Sequence, residues 1–478
     1  MNTRSVLTTL LAAALLVAGS GAPPGAARTA TCAGAADFDG DGRPDVVAGD
    51  PLAVVKGLRG AGAVHVLPLG DGTGAVLTAP DAAAGDAFGW SVRTQQLDDD
   101  GCMDVVVGAP YATVDGEAGA GAVYVFYGGA GREPVRLTAS SPERDAHFGW
   151  SVAAGRIPGQ PATLVVAAPY EDADDTTDSG AVYVYQGPEP AKPRRITQEA
   201  EGVIGNSEEG DLYGWSLAVG RLGGKLRTLD IAIGTPYENN DGAGKQKGST
   251  GTDNSGAVEV LFDVTPDGAL SAAKWTLTES ARGVKEAEGD RFGHALAYVE
   301  HRGNPYLAVS APLAGVPGAP HTGVVQLFQA GKNGVLAPAR TIRPGVDGLD
   351  ALTEGSAFGW SLAMVDTPDG LALAVGSPFE SRDAEESGAV RRIPVTGDAP
   401  ILMLSPPESA AHDRFGWSLG TAGVSDRLSA ATTLLVGSPD QSAGTGALTL
   451  FAPDATPRVL GPAAKDPLPA DFGAAVGG

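Results

Sequence analysis

The residues best placed to do chemistry lie near the start of the chain. Asp37-Phe38-Asp39-Gly40-Asp41-Gly42-Arg43-Pro44-Asp45 sets carboxylates at positions 1, 3, 5 and 9 of a nine-residue frame, with glycine at position 6. A hard cation such as Ca2+ takes about six to eight oxygen ligands at short range. Alternating acids bring three carboxylates to one side of a tight loop, Gly42 permits the turn, Asp45 closes the sphere and the carbonyl of Arg43 is a further donor. Without a cation these acids repel one another, and a solvated acidic turn is the alternative. An EF-hand would need glutamate at position 12 and a following helix. Here Ala48 holds that position, and Val46-Val47-Ala48 reads as a strand. The frame therefore predicts a calcium loop between β-strands.

A second frame, Gln96-Leu97-Asp98-Asp99-Asp100-Gly101-Cys102-Met103-Asp104, follows the same spacing. Asp98, Asp100 and Asp104 keep their acids, Gln96 offers an amide oxygen in place of the first one, and Cys102 stands where Arg43 stands. This predicts a second, weaker site. The corresponding stretches 155–163 and 221–230 lack the acids, and no metal is expected there. Extracellular calcium modules bind with dissociation constants of about 10⁻⁴ to 10⁻³ M, which suits a structural rather than a catalytic ion.

The elements that position these loops are repeats. Phe-Gly-Trp-Ser-Val or a close variant begins at Phe88, Phe148, Tyr213, Phe292, Phe358, Phe415 and, in partial form, Phe472; the intervals are 60, 65, 79, 66, 57 and 57 residues. A second phrase of small residues ending in proline recurs at Pro51, Pro110, Pro169, Pro236, Pro312, Pro378 and Pro439. A third, Gly-Ala-Val, opens at Gly62, Gly121, Gly180, Gly256, Gly323, Gly388 and Gly446. Short apolar runs bounded by Gly, Pro and Asp are strand signals, and repeats of about four strands suggest propeller blades. The final Phe-Gly phrase has no blade after it, and the first small-residue–proline phrase has no Phe-Gly strand before it. Residues 37–87 and 472–478 together approach one repeat. The expected fold is all-β: a seven-bladed β-propeller over residues 31–478, its ring closed by the C-terminal Phe-Gly strand joining the N-terminal half-blade. A right-handed solenoid is the alternative.

Composition fits an exported protein. Residues 1–30 read as a signal peptide, with Arg4, the apolar run Val6 to Val17 and small residues around a cleavage point near 27–30. Secretion favours pairing the two cysteines, Cys32 and Cys102, although two unpaired thiols remain open. The net charge of −24 argues against nucleic acid and anionic membrane surfaces, and no later run is long enough to span a bilayer. A soluble monomer is expected.

The three phrases and the Asp-x-Asp-x-Asp-Gly-x-x-Asp loop resemble the FG-GAP repeats of integrin α-subunit head propellers over almost the whole of 31–478. The resemblance implies calcium loops on one face of the ring and a ligand surface on the other, with Asp37, Asp39, Asp41 and Asp45, and Asp98, Asp100 and Asp104, as the metal residues. The metal loops fall in early repeats here, whereas the family usually carries them in later ones. In integrin heads, aromatic residues at the place of Trp90, Trp150, Trp215, Trp360 and Trp417 line a central cup that receives a basic side chain. Asp86, Asp211, Asp290 and Asp413, each two residues before the aromatic, would favour a cation there. The alternative is plain packing between blades.

The acidic stretch Tyr170 to Ser179 and the long stretch Tyr237 to Ser255 are further surface candidates. The functional expectation is an extracellular adhesion module for a protein or polysaccharide partner. A secreted hydrolase, active on the loop face or axis, is the alternative. Gly416-Trp417-Ser418-Leu419-Gly420 spells the Gly-x-Ser-x-Gly elbow, but Ser418 is one of five repeat copies and lacks the strand-to-helix setting, so no catalytic residue is assigned.

Overall fold

The structure is a computed structural model describing Cys32 and residues 36–477, apart from 71–73, 99, 130, 188–191, 224–227, 241–250, 316–317, 332–333, 347, 423–431 and 464–466. The export segment and its cleavage point lie outside the described residues, as does much of the stretch from Tyr237 to Ser255. Seven four-stranded antiparallel sheets make a seven-bladed propeller. Blade 2 shows the plan: Ser91–Gln95 innermost, then Asp104–Ala109, Ala122–Phe126 and Val135–Leu137. The central residues of the second strand of each blade are apolar or small because both faces are covered there, and Asp104–Ala109 is buried throughout.

The three phrases meet between blades. The phenylalanines at 88, 148, 292, 358, 415 and 472 are fully buried; Phe88, for example, joins Val47 and Val64 of blade 1 to Val105 and Val107 of blade 2. The glycine after each aromatic lies against the small-residue–proline phrase of the preceding blade: a Cβ on Gly49 would strike the Gly89 carbonyl, and one on Gly108 the Gly149 carbonyl. The serine of the phrase fastens the same contact. Ser91 Oγ donates to the Gly149 carbonyl at 2.8 Å, Ser151 Oγ to Gly214 at 2.7 Å and Ser361 Oγ to Gly416 at 2.7 Å. The Gly-Ala-Val glycine is required by backbone: Gly62 has φ +84° and bridges Phe88, whose main chain leaves no room for a side chain.

Blade 1 is the shared blade. Its order is Ala475–Val476, Asp45–Asp50, Ala63–Pro68, Ala75–Leu77, with Ala48 opposite Val476 and Gly49 opposite Ala475. Gly473 N–H donates to the Gly49 carbonyl and Gly477 N–H to Val47, both at 2.9 Å. The terminal Phe-Gly strand thus closes the ring, as the half-repeats at the two ends predict.

Candidate functional site

Each innermost strand runs between the two faces of the ring. In blade 2, Trp90 precedes Ser91–Gln95 and the acid frame follows it, so the tryptophans and the acid loops occupy opposite faces. The first loop is built by its own carboxylates. Asp37 accepts backbone N–H bonds from Gly40 (2.8 Å) and Gly42 (3.0 Å), Asp39 from Asp41 (3.0 Å), Asp41 from Arg43 (2.8 Å) and Asp45 from Phe38 (2.9 Å). Asp37 and Asp45 are buried while Asp39 is exposed, and oxygens of the three lie within 4.8 Å of one another. Two oxygens that each sit about 2.4 Å from one Ca2+ can be at most about 4.8 Å apart, so the donor set fits that ion. Burial and the neighbouring Asp39 and Asp37 raise the Asp45 pKa to about 6. A cation would supply the missing counter-charge. Asp41 falls outside the convergent carboxylate triad.

The second loop repeats the scheme with a difference. Asp98, Asp100 and Asp104 converge within the same 4.8 Å. Asp104 accepts from Leu97 (2.7 Å) and Gly128 (3.0 Å), and burial lifts its pKa to about 7. Burial also raises that of Asp100, with Asp98 adding to it. Arg132 Nη1 lies 3.2 Å from Asp98 Oδ2 while its guanidinium stacks 4.0 Å over Tyr127. Arg132 already supplies Asp98 with a counter-charge, a contact that spacing alone does not reveal. Cys102 gives its backbone N–H to Asp100 and its sulfur to a disulfide with Cys32. In blade 4, Asp230 keeps only the last acid of the frame, and it accepts backbone bonds from Leu222, Gly223 and Asp263. Closing the loop is therefore one task of this position with or without metal.

On the opposite face the tryptophans form an arc. Centroid separations are 4.9 Å for Trp90–Trp150, 4.9 Å for Trp150–Trp215, 6.0 Å for Trp215–His294, 4.8 Å for His294–Trp360 and 5.2 Å for Trp360–Trp417, with tilts between 39° and 49°. All six rings are half-buried. Ala474 holds the seventh position and leaves the circle open. Burial and nearby Arg291 push His294 down to about 4, so its ring is neutral at physiological pH. A second tier comes from the residue after the proline: Tyr111, Tyr170, Tyr237 and Phe379 each meet a tryptophan edge-on or tilted at 5.1–5.6 Å. Arg291 already stacks over Tyr237 at 4.7 Å, and Arg414 over Phe379 at 5.5 Å. The rings both pack against their neighbours and present a half-open aromatic surface.

Asp86, Asp211, Asp290 and Asp413 do not line this surface. They are buried, and each carboxylate accepts the backbone N–H three residues before it, at 2.7–2.9 Å. They hold the turn that enters each aromatic strand. Ser418 gives its hydroxyl to the Gly473 carbonyl at 2.7 Å, the same inter-blade bond made by the other repeat serines. A signal passed over in the sequence is Pro-(Tyr/Phe)-Glu. Glu171, Glu238 and Glu380 are buried and pair with Arg195 (2.6 Å), Lys274 (2.9 Å) and Arg391 (2.6 Å).

Comparison with known proteins places these features in a class. Models of the FG-GAP repeat match residues 33–67, 73–126 and 132–185. The chain is 32% identical over 243 residues to human phosphatidylinositol-glycan-specific phospholipase D, covering 47% of this chain and 26% of that protein. It is 32% identical over 193 residues to human integrin alpha-6, covering 38% and 15%, and 30% identical over 224 residues to integrin alpha ina-1 of Caenorhabditis elegans, covering 40% and 19%. These matches span about a quarter or less of the relatives' own length. The matched segments carry FG-GAP repeats, and the chain is similar in sequence to integrin α-subunits over part of its length. Among the described residues no helix is long and apolar enough to cross a membrane.

Proposed function

We propose that this chain is a secreted, calcium-braced recognition module that holds an extracellular protein or polysaccharide on its tryptophan face. The observation that carries this reading is the half-open arc from Trp90 to Trp417. Flat aromatic faces attract cations and stack against planar groups, and the protein's own Arg291 and Arg414 use neighbouring rings in that way. A lysine or arginine of a partner suits the same surface. On the opposite face Asp37, Asp39 and Asp45 hold one Ca2+, and Asp98, Asp100 and Asp104 a weaker second. The ions stiffen the loops and take no part in a reaction. The Cys32–Cys102 disulfide fits an oxidising compartment, in keeping with export directed by residues 1–30.

The test is retention of partners from a panel of extracellular proteins and polysaccharides on immobilised protein, with and without chelator, beside a Trp150→Ala/Trp215→Ala variant of unchanged blade structure by circular dichroism. The expected result is a partner lost in the double variant. Equal retention by the variant would overturn the reading. So would turnover of a hydrolase substrate, abolished by substitution of surface acids, with no partner retained.

A further inference from the structure

Tyrosine hydroxyls and tryptophan N–H groups inside a protein usually find a hydrogen-bond partner. Between the blades of this ring they do: Tyr124 donates to Asp81, Tyr183 to Glu171 and Tyr213 to Glu259. On the tryptophan face they do not. Among the described residues no indole N–H of the arc, at Trp90, Trp150, Trp215, Trp360 or Trp417, donates to a protein acceptor, and none is sealed from solvent. The hydroxyls of Tyr111, Tyr170 and Tyr237 in the second tier are equally unengaged and equally open. His147 adds an acceptor between them. It stacks at 4.6 Å on Tyr111 and 5.0 Å on Tyr170, and its Nδ1 lies 3.0 Å from the Pro110 carbonyl. A carbonyl only accepts, so Nδ1 carries the proton and Nε2 of the neutral ring is left to accept from a ligand.

Both signs of charge border the arc. The Asp178 carboxylate sits near Tyr170 and His147, while Arg291 stacks over Tyr237 and Arg414 over Phe379. A ligand with net charge of either sign meets repulsion on one side, and a neutral ligand meets none. The two arginines also take ring faces that a partner's lysine would need. Beneath the arc, three residues further along the same strands, Ala218, Ala297 and Ala363 line an axial cavity of about 120 Å³. Small-ligand sites run to roughly 300–1,000 Å³, so a ligand of the aromatic rings lies across the mouth of the channel rather than inside it.

Taking the tryptophan face as the recognition surface, we propose that its occupant is a neutral glycan, a chain of uncharged pyranose units laid across the axial mouth. The C–H face of a pyranose stacks on the half-open rings. Its hydroxyl and ring oxygens accept from the indole N–H and phenol O–H groups, and its hydroxyls donate to His147 Nε2. A lysine or arginine side chain of a protein partner answers only the ring faces. It carries donors and no acceptor, so it leaves the donors on the ring edges without partners.

The experiment is a calorimetric titration of the full chain with neutral cello-, manno-, malto- and N-acetylchito-oligosaccharides, beside heparin and a peptide rich in lysine and arginine. The expected result is saturable binding of at least one neutral glycan, accompanied by a change in tryptophan fluorescence and unaffected by added salt. Trp150→Ala should weaken it about fivefold to tenfold through lost stacking. Tyr170→Phe keeps the ring and deletes one donor, and should weaken it about twofold to tenfold. The Tyr170 hydroxyl has no protein partner among the described residues, so this variant provides the readout should Trp150→Ala melt early. Tighter binding of heparin, or glycan binding indifferent to both substitutions, would overturn the assignment. Silent glycans with the basic peptide bound, and lost in Trp150→Ala, would overturn the glycan while leaving the face a recognition surface. Silence of every probe would overturn the glycan as well, and the partner screen on the double tryptophan variant then decides the recognition reading by itself.

Discussion

The backbone N–H of Met103 donates a 2.9 Å hydrogen bond to the carbonyl of Asp37, fastening the first acid loop to the closing turn of the second. Gly129 N–H adds a 2.8 Å bond to the Phe38 carbonyl, and the Cys32–Cys102 disulfide crosses the same junction. Two candidate metal loops from neighbouring blades therefore share one backbone joint. Ordering either loop places part of the other.

Calcium binding at the two loops should accordingly be coupled. Asp45→Asn is expected to weaken the first site at least tenfold and, although remote from Asp98 and Asp100, to weaken the second about twofold to threefold. Asp104→Asn should likewise weaken the first site, and in the parent chain calcium bound at either loop should raise the affinity of the other by the same factor. Calcium titrations of both variants by calorimetry check this; an unchanged affinity at the untouched loop would show the joint to be thermodynamically silent.

The covalent half of that joint should matter more to stability than the ions. The two cysteines are 70 residues apart, and chain-entropy reasoning gives such a loop up to about 4 kcal/mol. At millimolar calcium each site contributes about 0.4–1.4 kcal/mol. Urea unfolding of a Cys32→Ala/Cys102→Ala variant should therefore shift further than unfolding of the intact chain in chelator. A larger effect from the chelator would mean that the ions, not the disulfide, hold the N-terminal junction.

The ring and its closure were legible in the sequence because propeller symmetry repeats the same contacts: the aromatic, the glycine after it and the serine all act between blades, so each recurs wherever a blade meets another. The acid triads were legible because their frame is local. What escaped was the environment of single residues. Spacing cannot say that Arg132 reaches Asp98, nor that Asp86 turns inward to cap a turn. The third residue of the Gly-Ala-Val strand was equally opaque. It reads His65, Tyr124, Tyr183, Glu259, Gln326, Arg391 and Thr449 round the ring, a buried polar position whose partner differs from blade to blade. Tyr124 finds Asp81, Tyr183 finds Glu171 and Arg391 finds Glu380.

The last of these pairs yields a sharp expectation. Arg391 is 2% exposed and Glu380 6%; they form a bidentate bridge at 2.6 and 2.9 Å. Removing one partner of a buried pair leaves a charge without compensation, at a cost of about 3–5 kcal/mol. Glu380→Ala should thus destabilise strongly. Replacing both by apolar residues, Glu380→Leu with Arg391→Met, should recover most of the loss. Failure of the double variant to improve on the single one, in urea midpoints, would assign the loss to packing instead.

Ring closure is tested at Phe472. Its ring is fully buried, meets His65 edge-on at 5.0 Å and joins Val46, Ala48 and Leu67 to Leu435 and Leu448. Phe472→Ala should cost about 3–5 kcal/mol, and deletion of 472–478 should cost more and expand the molecule in small-angle scattering. Unchanged melting and compactness on deletion would contradict closure through this strand.

Glu259 contributes to the pH dependence of blade 4. It is 2% exposed, and it accepts the Ile204 N–H at 2.6 Å and the Tyr213 hydroxyl at 3.0 Å. Burial raises its pKa from 4.5 to about 7, against the pull of those bonds and of Lys274. Between these two values the folded chain keeps a proton that the unfolded chain releases, so this contribution is fully present below pH 4.5 and is lost as pH rises through 7. Glu259→Gln removes it. The variant should be more stable than the parent at pH 8 by roughly 1–3 kcal/mol, and its stability should be flatter between pH 5 and 8. Urea midpoints across that range provide the measurement, and parallel curves for parent and variant would mean that Glu259 is ionised in the folded ring throughout.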